Sequence, residues 1–227
     1  MKKHIFLIAT VAMVIFAASC GQNSGSSKIK TTVVEETIET ELPSDPLTVD
    51  EGVVINGVKW ATRNVAAPGT FAATPEDAGM FYQWNNKKAW PATGEEVAGW
   101  DDSISAGEIW EKSNDPSPAG WHVATDAEFR TLLFDDDKVS NEWTTQNGVI
   151  GRKFTDKATG NSIFFPAAGY RDGTNGTLNL VDIQGGYWTS TKSCSECSYG
   201  AYVCEYNVGL CDGENRNDGC AIRSVAD

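Results

Sequence analysis

All eight tryptophans of this chain lie between Trp60 and Trp188. Together with a shift in composition at Gly52, their confinement marks a single folded domain over residues 52–227. At about 175 residues, such a domain can bury roughly 70% of the surface its unfolded chain exposes. No internal repeat divides it.

What precedes the domain reads differently. Lys2 and Lys3 lead into an apolar run from Ile5 to Ala18, and Ala17-Ala18-Ser19-Cys20 closes it. The run is too short to span a hydrocarbon core of ~30 Å as a stable anchor, so residues 1–19 read as a signal peptide. Small residues directly before a cysteine resemble the lipobox of bacterial lipoproteins. That resemblance implies lipidation at Cys20, an exported chain, and an anchor in the cell envelope, at the outer membrane, facing the periplasm or the cell surface. Two or more acyl chains would hold it durably. Residues 20–51 carry no aromatic side chain and are rich in Ser, Thr, Gly, Glu and Pro. They read as a flexible acidic tether, because they lack the apolar surface that would offset chain entropy.

The charge balance excludes one class of partner. Removing Lys2 and Lys3 with the leader leaves 16 basic against 31 acidic residues, a formal charge of −15. Such a chain repels nucleic acid, whose binding depends on Lys and Arg neutralising phosphates.

Within the domain, VVINGVKWATRN predicts a hairpin, since Asn56-Gly57 tolerates the positive φ values of a type I′ turn. Further strands are expected over 80–84, 120–123, 162–168, 186–191, 201–206 and 220–225, separated by Gly-, Asn- and Asp-rich turns. One helix is clear. Thr125 and Glu128 form a capping box, and Phe129, Leu132 and Leu133 then fall on one face. His122, the only histidine outside the first few residues, sits beside Trp121 in the strand before that cap. Without a nucleophile motif or a second mature histidine it reads as structural rather than as a catalyst or metal ligand.

The run Ser117-Pro118-x-Gly120-Trp121-His122-x-x-Thr125-x-x-Glu128-Phe129 resembles the signature of the Fibrobacter succinogenes major paralogous domain. Asn56-Gly57-x-x-Trp60, Gly79-x-Phe81-Tyr82-x-Trp84, Ala168-Gly169-Tyr170-Arg171 and Gly186-Tyr187-Trp188-Thr189-Ser190-Thr191 match in order, and Gly219-x-Ala221-Ile222-Arg223-x-Val225 closes the series. The resemblance implies an α+β domain similar to the C-type lectin-like and formylglycine-generating-enzyme folds. Ser117 and Ser224 stand where that family has cysteines. If the family's two cysteines bond to each other, these two serines are neighbours.

Cys194, Cys197, Cys204, Cys211 and Cys220 crowd the C-terminal part. An exported chain favours disulfides over a zinc site or free thiols, and bridges there would staple a loop-rich sheet. Cys194-Ser195-Glu196-Cys197 has redox spacing but lacks the βαβ context of such motifs. No cofactor is expected, with calcium the ion that the acidic turns could take. Asp172 and Asn175 in Asp172-Gly-Thr-Asn175-Gly offer alternating oxygens for it, although such a stretch is more often a tight turn and lacks the closing Glu of a calcium loop. The lectin signatures Glu-Pro-Asn and Trp-Asn-Asp are absent from the sequence. Trp90, Trp100 and Trp110, with Asp101 and Asp102, lie in a long polar segment; their rings either stack on a sugar or pin the loop to the core.

The expectation for function is therefore a non-enzymatic, lipid-anchored envelope protein that binds a glycan or a surface protein. A structural role in an envelope assembly is the alternative. An enzyme related to the formylglycine-generating fold is a third reading, and it requires a cleft-lining cysteine pair.

Overall fold

Asn56 and Gly57 take φ values of 46° and 81°, the left-handed region that Asn and Gly tolerate. They turn β1 (Val53–Ile55) onto β2 (Val58–Trp60). The structure, a computed structural model, describes residue 47 and residues 49–227. The leader, Cys20 and the tether up to residue 46 lie outside the described residues. The domain's contacts begin inside the stretch assigned to the tether: Asp50 accepts from Gly52 N, from the amide and hydroxyl of Thr62, and from Arg63 Nε at 3.2 Å.

The first hairpin is completed by distant chain. β14 (Ser224–Ala226) pairs with β2, and β5 (Trp121–Val123) pairs with β14, giving a four-stranded sheet in the order β1-β2-β14-β5. A second sheet joins β6 (Val139–Gln146), β7 (Val149–Asp156) and β8 (Ser162–Pro166). Its β6–β7 hairpin turns on a second Asn-Gly pair, Asn147 and Gly148, also at positive φ. The third contains β11 (Gln184–Lys192), β12 (Cys197–Cys204) and β13 (Val208–Asn215). Two small ribbons pair β3 (Met80–Tyr82) with β4 (Ala89–Pro91) and β9 (Tyr170–Arg171) with β10 (Leu178–Asn179).

The expectation of an α+β domain, which came with the C-type lectin-like comparison, is corrected. The described residues hold fourteen strands in small antiparallel sheets and one α-helix of eight residues, α1 (Asp126–Leu133), so the fold is mainly β. One short helix cannot form a layer of its own. The capping box at its start is as read: Thr125 Oγ1 accepts from Glu128 N at 3.2 Å, and the Glu128 carboxylate accepts from Thr125 N at 2.7 Å. The strands β6 and β7 were absent from the sequence reading. β6 (VSNEWTTQ) is an edge strand with mostly polar, partly exposed side chains, so it shows little apolar alternation.

Aromatic residues fill two adjoining cores. Trp60 packs edge-on against Phe129 of α1 and Phe165 of β8, and Phe165 in turn meets Phe154 and Tyr187. In the second, Trp84 and Trp188 are fully buried, and each indole N–H is satisfied by a carbonyl, of Thr189 and Tyr82 respectively.

The loops between these cores are held by buried arginines that form no ion pair with a carboxylate among the described residues. Arg171, at 0% exposure, spends all five N–H donors on backbone carbonyls: Pro91, Thr93, Gly94, Glu95 and Gly176. Arg216 holds the carbonyls of Ser105, Gly107, Cys194 and Cys197, with its guanidinium 4.2 Å from the Trp84 ring centroid. Arg223 donates to Asn64 Oδ1 and to the carbonyls of Ala61, Thr62 and Phe164, and its burial pushes its pKa down to about 10. A buried carbonyl without a partner costs about 1–3 kcal/mol, so each fork supplies what a β-ladder supplies elsewhere.

Candidate functional site

The residues singled out from sequence fall mostly into structural roles. Trp90 and Trp110 are 4% and 8% exposed, so neither ring offers a face to a ligand. Trp100 is partly buried against Trp90 at a centroid distance of 4.7 Å, and its Nε1 donates to Gly173 O. The Asp101 carbonyl accepts from Gln83 Nε2 and the Asp102 carbonyl from Asn217 Nδ2. These residues pin the 100–110 segment to the core.

His122 lies between two carboxylates. Its Nε2 is 3.3 Å from Glu128 Oε1 and its Nδ1 3.0 Å from Asp227 Oδ1. The Glu128 hydrogen bond raises its pKa above the ordinary value, against a smaller opposing effect of burial. The imidazole ties β5 to α1, while Trp121 packs edge-on against Phe71. Ser117 and Ser224 are neighbours: their hydroxyls share a hydrogen bond of 2.8 Å.

Asp172 and Asn175 close their own turn between β9 and β10. Asp172 Oδ1 accepts from Thr174 N and Asn175 Oδ1 from Thr177 N. Among the described residues, no group of three or more His, Cys, Asp or Glu side chains is arranged to hold a metal ion.

The cysteines also depart from expectation. Cys194 and Cys197 are bridged, with Cα atoms 4.8 Å apart, whereas Cys204, Cys211 and Cys220 carry free thiols. The sheet register explains this. Cys211 faces Gly200 across the β12–β13 ladder and Cys204 faces Gln184, so no second pair meets. The bridge closes one hairpin tip and does not staple the sheet.

The arrangement that does bring chemistry together was not anticipated. A cleft of about 290 Å³ is lined by residues of β11, β12 and β13 and by Tyr170 of β9, whose neighbour Gly169 bridges to Gly185 of β11. Tyr170 and Tyr202 bring rings to it, Gln184 and Asn215 bring amides, and Asp172, Glu214 and Asp218 bring carboxylates; no Lys or Arg lines it. The local backbone makes room for these groups. The β12–β13 register shifts between Ser198 and Gly200, and a Cβ on Gly200 would come within 2.6 Å of Glu214 Cγ. Gly200 lets the Glu214 side chain lie across the strand.

Asp218 is the most perturbed carboxyl of the cleft. It is 7% exposed, forms no ion pair among the described residues, and accepts from Gly173 N at 2.6 Å. Burial pushes its pKa up to about 6; the Gly173 N–H opposes this, and Glu214 and Asp172 add to the rise. Glu214 is raised by burial as well. The tryptophan segment supports the site from behind: Trp100 holds the Gly173 carbonyl, in the same residue whose amide holds Asp218. Cys220 lines the cleft as its lone cysteine, and burial first, then the fields of Glu214 and Asp218, hold its thiol protonated. The cysteine pair required by formylglycine-type chemistry is therefore not in this cleft.

The Asp218 shift has a measurable consequence. Folding lifts the carboxyl from 3.8 to about 6, so the folded state binds the proton more tightly than the unfolded chain. Its contribution to stability is fully present below the unfolded value and is lost as pH rises through about 6. Asp218→Asn keeps the oxygen that accepts from Gly173 but carries no charge. The variant is expected to be about 2–3 kcal/mol more stable than the wild type near pH 8 and little different near pH 3.5, as read by urea unfolding at both.

A larger depression, about 500 Å³, lies at the end of α1 against Arg130, Phe134 and Asp135–Asp137. It is built from one short stretch of chain at the solvated helix end, with no convergent groups. Comparison of the chain with protein-family models, with curated proteins and with solved structures finds no match.

Proposed function

We propose that this chain is an exported, lipid-anchored protein of the cell envelope, held to the outer membrane through Cys20, whose domain binds a glycan in the acidic tyrosine cleft without transforming it. The observation that carries this reading is the lining: two tyrosine rings, two amides and three carboxylates converge on one concave surface. Rings that stack on the apolar faces of a sugar and acceptors that take its hydroxyl protons are what a polyol ligand requires. The apolar run before Ala17-Ala18-Ser19-Cys20 supports export and anchoring. The side-by-side Ser117 and Ser224 support the resemblance to the Fibrobacter succinogenes major paralogous domain.

The test is a glycan array probed with the full chain, with and without a chelator. Binding is expected to be insensitive to chelation, because the side chains of Asp172 and Asn175 are occupied within their own turn. Chelator-sensitive binding would overturn the metal-free form of the proposal.

A second reading, a surface-protein partner, draws on the cleft's rim. Leu180, Val181 and Ile183 are exposed there, and Leu180 and Asp182 hold left-handed backbone at φ 57° and 62°. Strained, exposed apolar residues beside a cleft favour a contact surface. Silence across the array, with capture of an envelope protein that is lost on Ile183→Asp, would favour this reading.

A further inference from the structure

The Cys194–Cys197 bridge sits on a buried cation. Three hydrogen bonds tie the loop to Arg216: Nη2 to the Cys194 carbonyl at 2.9 Å, Nε to the Cys197 carbonyl at 3.2 Å, and the Arg216 amide to the Glu196 carbonyl at 3.1 Å. The Arg216 side chain is 1% exposed and has no carboxylate within ion-pair distance among the described residues. Glu108, whose field reaches it, is itself paired to Lys192. Two backbone N–H groups also point at one sulfur: Cys194 Sγ accepts from Cys197 N at 3.0 Å and from Glu196 N at 3.4 Å. A disulfide sulfur is a weak acceptor; a thiolate in the same place is a strong one. The loop is therefore arranged to receive a negative charge on Cys194 that the bridged form does not carry. Access is open, since Ser195 and Glu196 are exposed and both cysteines partly so.

We propose that Cys194 and Cys197 form a thiol–disulfide exchange centre whose partner is a polypeptide dithiol, with Cys194 carrying the mixed disulfide. A partner thiolate attacks Cys194 Sγ, and Cys197 leaves with the bonding pair and takes up a proton. The partner's second thiolate then attacks its own sulfur in the mixed disulfide, and Cys194 leaves as a thiolate held by the two N–H groups. The partner loses two electrons and becomes a disulfide, and the Cys194–Cys197 pair gains them. The reverse reaction uses Cys194 as the nucleophile and Cys197 to release the partner. Stabilising the reduced form makes such a pair oxidising. The context is a hairpin tip on a buried guanidinium rather than the helix N-terminus of a βαβ unit.

The reduced full chain is alkylated with iodoacetamide near pH 6.5, well below the usual thiol range, and followed peptide by peptide by mass spectrometry. Cys194 is expected to react about tenfold faster than Cys197 within the same molecule. In protein that its unfolding midpoint shows to be folded, Arg216→Met is expected to erase that ratio and Arg216→Lys to restore part of it. The wild-type ratio stands even where a variant does not fold. Oxidised glutathione is expected to leave a mixed disulfide on Cys194 in Cys197→Ser, releasing one glutathione thiol. Equal rates at the two cysteines, or a bridge that resists reduction in the folded protein, would overturn the proposal.

Discussion

Protein carrying Ser117→Cys and Ser224→Cys is expected, once oxidised, to be about 4 kcal/mol more stable to urea than its reduced form. The two hydroxyls are already in contact at 2.8 Å across 107 residues of sequence, so a bridge between them would close a long loop. Loop length sets the size of the effect, because the bridge acts mainly by restricting the unfolded chain. The native backbone is prepared for it on one side: Asp115 accepts from the amides of both Ser117 and Val123, which fixes the approach to β5. Peptide mapping would show the new bridge beside Cys194–Cys197. Failure of the cysteines to join under oxidation would show that the strands β5 and β14 do not meet as described.

Replacing Arg171 has the largest expected cost of any single change. Arg171→Met keeps the length of the side chain and removes all five donors, taking the guanidinium from the carbonyls of Pro91, Thr93, Gly94 and Gly176 and leaving Glu95 only the Leu178 amide. A loss of about 3–5 kcal/mol in urea unfolding is expected, after allowing for water reaching the more exposed carbonyls. Arg171→Lys should recover only part of it, since an ammonium has three donors and no planar fork. Native-like stability of Arg171→Met would mean that the 91–95 segment is held by its other contacts, among them the Leu178 amide on the Glu95 carbonyl.

These two effects show where the sequence was legible and where it was not. Asn56-Gly57, the Thr125–Glu128 capping box and the setting of His122 rest on residues close in sequence, and each was readable because its physics is local. The fate of Trp90, Trp100 and Trp110 was not. An aromatic ring in a polar segment reads alike whether it stacks on a ligand or on the core, and here the decision is made by distant partners: Arg171 on the 91–95 carbonyls, Gly173 on Trp100, and Trp84 and Arg216 around Trp110. The cysteine pairing depended on strand register, which sets Cys211 opposite a glycine. The cleft was least visible of all. Tyr170, Tyr202, Glu214 and Asp218 come from different strands and loops and form no motif. Asp218 and Asp156 are equally buried and neither is ion-paired among the described residues, but Asp156 accepts from the amides of Asn56, Ala158 and Thr159, whereas Asp218 faces Glu214 and Asp172, and such neighbours belong to the fold. Asp172 was picked out for its spacing within one turn, and it reaches the cleft as one wall of an acidic pocket that no spacing shows.

The measurement that tests the central claim most directly is a comparison, on one glycan array, of the full wild-type chain with Tyr170→Ala, Tyr202→Ala and the double variant. Each single change is expected to weaken binding by up to about tenfold and the pair by up to about a hundredfold, with the unfolding midpoint of each variant recorded beside it. Binding that persists unchanged in a folded double variant would contradict the assignment of the cleft as the ligand site.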